Sequence, residues 1–159
     1  MAIESIKTTN MKKLILVVCL LTLQVTFSQS RKSKEKAFKQ VVYLIENANG
    51  FNYDKSIEIM SHDFDDLTIT IKSTVIIPFS GGNKTQNLVQ LDLNNLKKVE
   101  EKEELSRKSS VVMTFRKDYK SETINDRESS FSYTDYATVS FEKDSEDVDI
   151  FIKALKVLM

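Results

Sequence analysis

Histidine and cysteine each occur once in these 159 residues, as His62 and Cys19, and tryptophan does not occur at all. A single cysteine forms no internal crosslink, so the fold has to rest on its core. One histidine makes a poor zinc site, and any Ser-His-Asp or Cys-His centre would have to be built around His62. The lack of tryptophan disfavours carbohydrate recognition by broad aromatic platforms. Proline occurs once and glycine three times, which leaves Asn, Asp and Ser to make most of the turns. Charge of one sign is also missing: 23 basic residues face 23 acidic ones. Nucleic-acid partners are therefore not expected, because their binding proteins carry a basic surplus that displaces counterions.

What is present begins with Met11-Lys12-Lys13, followed by the apolar block Leu14–Leu23 and the small or polar close Thr26-Phe27-Ser28-Gln29-Ser30. Two lysines, a greasy block and a small-residue exit form the pattern of a secretory signal peptide. A permanent span needs roughly 20 apolar residues. The run from Leu14 to Phe27 is shorter and already holds Thr22, Gln24 and Thr26. The expectation is an exported protein, periplasmic or extracellular, with a signal peptide over residues 1–28 and no permanent membrane span after cleavage. Cleavage after Ser28 or after Ser30 fits equally well. Residues 1–10 carry no pattern, and Met11 reads as the natural start. Cys19 lacks the small preceding residue of a lipoprotein signal, since Val18 stands there, so it reads as part of the leader. Removal of residues 1–28 takes away Lys7, Lys12, Lys13 and Glu4 and moves the formal net charge from zero to −2. The remaining residues 29–159 are one domain's worth of chain, free of cysteine and long enough to bury a core.

Within that domain, Phe38, Val41, Val42, Ile45 and Ala48 recur at helical spacing, predicting a helix over 33–49 with Asn49-Gly50 as its stop. The period then changes to two. Ile57 and Ile59; Leu67, Ile69, Ile71, Val75, Ile77 and Phe79; Val89, Leu91 and Leu93; Val111, Met113 and Phe115; Phe131 and Tyr133; and Val139 and Phe141 alternate with polar neighbours. Such alternation predicts antiparallel strands with one buried face. Polar turns are expected at Ser61–Asp66, Ser80–Asn83, Asp118–Ser121 and Asn125-Asp126. The charged run Lys97–Lys108 fits either an exposed helix or an edge strand guarded by charge. Asp144-Ser145 as cap, then Val148, Phe151, Ile152, Leu155 and Leu158 as a stripe, predict a closing helix.

Chemistry-bearing patterns are few. His62-Asp63-Phe64-Asp65-Asp66 lacks the glycine and downstream glutamate of a calcium loop and reads as a polar turn. Gly81-Gly82-Asn83-Lys84-Thr85 lacks the glycines that a phosphate loop needs immediately before its lysine and five residues earlier. Asn83-Lys84-Thr85 is a formal glycosylation sequon. Tyr43, Tyr53, Tyr119, Tyr133 and Tyr136 could line a ligand pocket, and they are equally ordinary strand residues. No catalytic, cofactor-binding or metal residue is singled out, and no cofactor is expected.

Leu88–Leu96, Ser110–Phe115 and Thr138–Phe141 leading into Ala154–Leu158 resemble the pleckstrin-homology-like arrangement of antiparallel strands closed by a carboxyl-terminal helix. With its leader ending in Phe-Ser-Gln, the chain also resembles small uncharacterised exported proteins of Gram-negative bacteria. The resemblance implies lipid-headgroup or peptide ligands, although the basic strand-loop used for phosphoinositides has no counterpart here.

The expected fold is α+β: an amino-terminal amphipathic helix, five to seven antiparallel strands in a bent sheet or partial barrel, and a carboxyl-terminal helix. A cystatin-like or NTF2-like arrangement is the alternative. The expected function is a non-catalytic binding or interaction module of the cell envelope, taking a peptide, lipid or envelope protein at a sheet edge or helix–sheet groove. The alternative is a small hydrolase using carboxylates or His62 in a sheet-lined pocket.

Overall fold

The structure, a computed structural model, describes residues 30–52, 54, 56–76, 84–103, 108–125 and 128–159. The signal peptide expected over 1–28, Cys19, Tyr53, the Ser80–Asn83 turn and the Gly81–Lys84 end of the phosphate-loop-like run lie outside those residues, apart from the strand backbone of Lys84. The chain divides into units Met1–Glu35 and Lys36–Met159. Of the first, residues 30–35 are described, and they are helical. No helix among the described residues is long and apolar enough to cross a membrane.

The first helix, α1, covers 30–46, and turns at 47–49 end it before Gly50. Ala37, Phe38, Val41, Val42, Leu44 and Ile45 are its buried residues in the second unit, the 3.6-residue stripe that a helix needs to dock. Seven strands follow: β1 (Gly50–Phe51), β2 (Ser56–Asp63), β3 (Thr68–Ile76), β4 (Lys84–Asp92), β5 (Leu96–Glu103), β6 (Lys108–Ile124) and β7 (Ser129–Glu142). All pair antiparallel in the order β1-β7-β6-β4-β3-β2, with β5 attached to β6 off that path. Helix α2 (Glu146–Leu158) closes the chain. The fold is α+β, with a strongly curled half-barrel sheet and a helix at either end of it in sequence.

The curl originates in β6. Its first half pairs β5 through Ser109–Phe115, and its second half pairs β4 through Ser121–Ile124. Against β7 the register slips between Thr114 and Tyr119, and a slip of this kind bends and twists a strand. One long strand thus serves two sheet segments. The turn expected at Asp118–Ser121 is instead part of a 17-residue strand, because Tyr119, Lys120 and Ser121 pair with Thr134, Tyr133 and Ser132 of β7 and Ser121 also pairs with Val89 of β4.

Other expectations shift less. Ser61, His62 and Asp63 belong to β2, beyond a bulge at Ile59/Ser61, and the turn itself is Phe64–Leu67. The Asp63 side chain organises that turn, its Oδ1 accepting from the backbone N–H of Asp65 at 2.8 Å and of Asp66 at 3.1 Å, as Asp commonly does in turns. The charged run at 97–103 is the edge strand rather than a helix, with Lys98 paired to Glu100 at 2.6 Å. Its charges discourage pairing with other chains. Phe131 and Tyr133, expected inside, are exposed.

The core lies on the concave face, where Ile69, Ile71, Leu91, Val111, Met113, Val139 and Phe141 meet α1 and α2. Ser145 caps α2 by accepting from the Asp147 N–H at 3.2 Å, and three acidic residues in the first turn complement the helix dipole. Val148, Phe151, Ala154, Leu155 and Leu158 are its buried stripe. Ala154 replaces the expected Ile152, which is only partly buried.

Candidate polar cleft

Strand register shows how the concave face changes character. The row Ile69–Leu91 is apolar. The next row is Ile71–Val89–Ser121–Ser132, and the one after it Ser73–Asn87–Thr123–Ser130. Two residues along each strand, side chains on the same face have changed from aliphatic to hydroxyl and amide. The helices cover the apolar rows. The polar rows border an open cleft of about 530 Å³, lined by Ser73, Asn87, Val89, Ser121, Thr123, Ser132 and Thr134, with Asn52, Tyr133 and Tyr136 completing it.

A short strap forms the boundary between the two halves. Its described residues are Phe51 of β1, which pairs with β7, then Asn52 and Asp54, then Ser56 of β2, which pairs with β3, at the two ends of the strand order. Phe51 and Asp54 exchange both backbone hydrogen bonds at 2.9 Å. Gly50 is required there, since a Cβ would stand 2.9 Å from the Asp54 carbonyl oxygen. Asn52 takes a positive φ of 47°, a conformation asparagine tolerates better than most residues. Its backbone N–H donates to the Thr138 carbonyl and its Oδ1 accepts from the Thr138 N–H, both at 2.8 Å. Its Nδ2 donates to the Tyr119 hydroxyl at 3.2 Å, and that hydroxyl donates to the Tyr136 carbonyl at 2.6 Å. Burial pushes the Tyr119 phenol up to about 12, the Asn52 bond opposing this and the neighbouring Tyr136 and Asp135 reinforcing it.

Asp54 anchors the other side of the strap. It is 6% exposed, and its Oδ2 accepts from the Ser73 hydroxyl and, at 2.8 Å, from Asn87 Nδ2. Thr123 then donates to Asn87 Oδ1 at 2.8 Å. With both ends of its amide engaged, Asn87 is fixed in one orientation facing the cleft. The chain Asp54–Asn87–Thr123 spans the strap, β4 and β6 and ties the cleft wall together by hydrogen bonds.

The other residues that the sequence brought forward lie elsewhere. His62 pairs with Ile69 on β2, and its ring meets Phe38 edge-on at 6.0 Å. Ser56, at the strap end of that strand, is six residues away, about 20 Å at strand rise. His62 and Asp54 therefore do not share a site. No group of three His, Cys, Asp or Glu residues poised for a metal exists among the described residues. Tyr43 is exposed on α1. Tyr119, Tyr133 and Tyr136 do reach the clefts: Tyr119 lines a second one of about 310 Å³ beside Lys117 and Asp118, and the other two rim the main one. Sequence reasoning missed Asp54, Asn87 and Thr123. Asn87 and Thr123 sit in phase with Val89 and Ser121 on their own strands, and only the cross-strand register reveals them as one polar patch.

No protein-family model, curated protein or solved structure matches this chain.

Proposed function

We propose that this protein is a non-catalytic binding module whose ligand sits in the cleft over the polar half of the concave sheet. The observation that carries this reading is the polarity change along β3, β4 and β6, which leaves hydrogen-bonding groups facing an opening of ligand size. A purely structural sheet would continue its apolar rows under a helix or end them in a solvated turn. Binding is favoured over hydrolysis because no carboxylate lines the cleft among the described residues. Asp54 lies behind Ser73 and Asn87 and is engaged by both, whereas carboxylate hydrolysis needs two carboxyl groups facing a shared opening.

The pleckstrin-homology-like kinship belongs to the same proposal. It draws support from an antiparallel curled sheet followed by a closing helix, while α1 ahead of the sheet supports the cystatin-like alternative equally. Export is proposed from the Met11–Ser30 pattern, together with a described body that holds no cysteine. Fold analogy by itself assigns no ligand.

The test is a ligand screen by thermal shift against the wild type and Ser132→Trp. Ser132 is exposed at the cleft, so an indole there fills the opening without disturbing the core. Ligands that raise the wild-type Tm and lose that effect in Ser132→Trp support the reading. A screen whose hits are all indifferent to the substitution, or which gives no hits, sinks it.

A further inference from the structure

Strand β7 changes burial along its length where its second neighbour ends. On one side it pairs β6 before and after the register slip. On the other, β1 pairs only Val139 and Ser140, and Asn52 continues the ladder to Thr138. Residues 137–141 are buried, whereas 129–136 are exposed apart from half-buried Thr134. Among the described residues, no strand pairs 129–136 on that second side. A strand with one neighbour presents a row of unpaired N–H and C=O groups, a template for another strand.

The edge strand β5 is guarded by exposed Lys97, Lys98, Glu100, Glu101 and Lys102, charges that keep foreign strands away. The β7 edge has no such guard. Its residues 129–134 read Ser-Ser-Phe-Ser-Tyr-Thr, and Phe131 and Tyr133 are 52% and 68% exposed. Register sets these two rings beside Glu122 and Lys120 of β6, on the face away from Ser130 and Ser132. Lys120 Nζ stands 3.6 Å from the centre of the Phe131 ring, which holds that ring flat against its own sheet.

We infer that this edge pairs with the same edge of a second copy of the chain, antiparallel about a two-fold axis, with Phe131 of each copy opposite Tyr133 of the other. The edge is its own complement in that register. Aromatic rings meet aromatic rings across the seam, and the nearest charge on the strand, Asp135, falls opposite Ser129. No like charges face each other. The formal net charge of the chain is zero, so two copies approach without long-range repulsion. A two-fold contact uses the same edge of both copies and closes on itself, so assembly stops at the dimer. The exposed fractions of Phe131 and Tyr133 supply about 200–300 Å² per copy. With the paired backbone the interface stays below the roughly 1,200 Å² of standard complexes, so the dimer is reversible and depends on concentration. Pairing at this edge is independent of what the cleft binds.

Sedimentation velocity of the full chain between about 1 µM and about 500 µM tests this, with Phe131→Lys and Tyr133→Glu as probes. The lysine introduced by the first faces Glu122 and the glutamate introduced by the second faces Lys120, so the monomer keeps its sheet; circular dichroism checks that it does. The wild type should dimerise as concentration rises, and each variant alone should dimerise at least about 10-fold more weakly. Mixed in equal amounts, the two variants should dimerise again, because one row then sets lysine against glutamate and the other tyrosine against phenylalanine. A wild type that stays monomeric throughout overturns the proposal and leaves the edge to a strand from a different protein. Association that neither substitution weakens overturns it as well, by placing the contact on another surface. Variants that lose association and do not regain it on mixing rule out the antiparallel two-fold pairing.

Discussion

The two halves of the concave sheet face are made from the same strands and differ only in what those strands display. Under the helices, Ile69, Ile71, Leu91 and Met113 are excluded from water and gain stability from burial alone. Beyond the strap, Ser73, Asn87 and Thr123 take the same positions in the pleat and are held by directed hydrogen bonds. The apolar half is tolerant of which hydrocarbon fills it and intolerant of empty space. The polar half tolerates empty space, since it borders an open cleft, and depends on which atom donates to which. Stability should therefore reside in the first and recognition in the second.

The largest break in that contrast comes from emptying the apolar half. Phe151 is fully buried on α2 and meets Phe141 with ring centroids 5.3 Å apart. Phe151→Ala removes those contacts and leaves a cavity between helix and sheet, at a cost of about 3–5 kcal/mol. Equilibrium unfolding in urea, compared with wild type under identical buffer, measures it. A loss below about 1 kcal/mol would show that α2 does not seal the core.

Disturbing the boundary should cost less. Asp54→Ala strips the acceptor from the Ser73 hydroxyl and the Asn87 amide, and buried groups left without partners cost about 1–3 kcal/mol. Both bonds end on Oδ2, and the amide oxygen of Asp54→Asn can accept both, though more weakly than a carboxylate, so urea midpoints should order wild type, Asn, then Ala. Equal midpoints for the Asn and Ala variants would mean that the strap is held by its backbone bonds alone.

How far this division could be read from the chain depends on which forces left a mark in sequence. Hydrophobic periodicity is local, so α1, α2 and the strands containing Ile69, Leu91 and Val139 were legible, as was the Ser145 cap. Pairing is not local. Asp118, Lys120 and Ser121 read as a turn because their polarity is the same whether solvent or a neighbouring strand receives their backbone groups. Phe131 and Tyr133 read as core for the converse reason: alternation says that two residues share a face, not which face is covered. The cleft was illegible because Ser73, Asn87 and Thr123 come from three strands, and each alone looks like a strand end.

Tyr119 belongs to neither half. It lies just past the register slip in β6, edge-on to Phe115 at 5.5 Å, with its hydroxyl in the strap's hydrogen-bond chain. Its phenol is held up at about 12, against 10 for an ordinary tyrosine, chiefly by burial. The unfolded chain therefore releases this proton first on alkalinisation. The associated stabilisation is fully present below pH 10 and is lost as the pH climbs through about 12. A spectrophotometric titration at ultraviolet wavelengths should show one of the five tyrosines ionising late, and Tyr119→Phe should remove that step and flatten the fall of stability over the same window. A titration unchanged by Tyr119→Phe would place the phenol in solvent and detach it from the strap.

Ser121→Val sharpens the contrast with the smallest effect. Ser121 shares β6 with Val111, is only partly buried, and sits between Val89 and Ser132 in its row. Valine suits a strand at least as well as serine, and the added methyl groups face open cleft rather than packed neighbours, so stability should stay within about 0.5 kcal/mol of wild type. Recognition should respond differently, because a hydroxyl that donates and accepts has been replaced by a surface that does neither. Unchanged urea unfolding with weakened binding of a ligand that Ser132→Trp displaces is the expected pair of results. A loss of more than about 2 kcal/mol would mean that Ser121 is packed as tightly as Val111, and the two halves of the face would then be one continuous core.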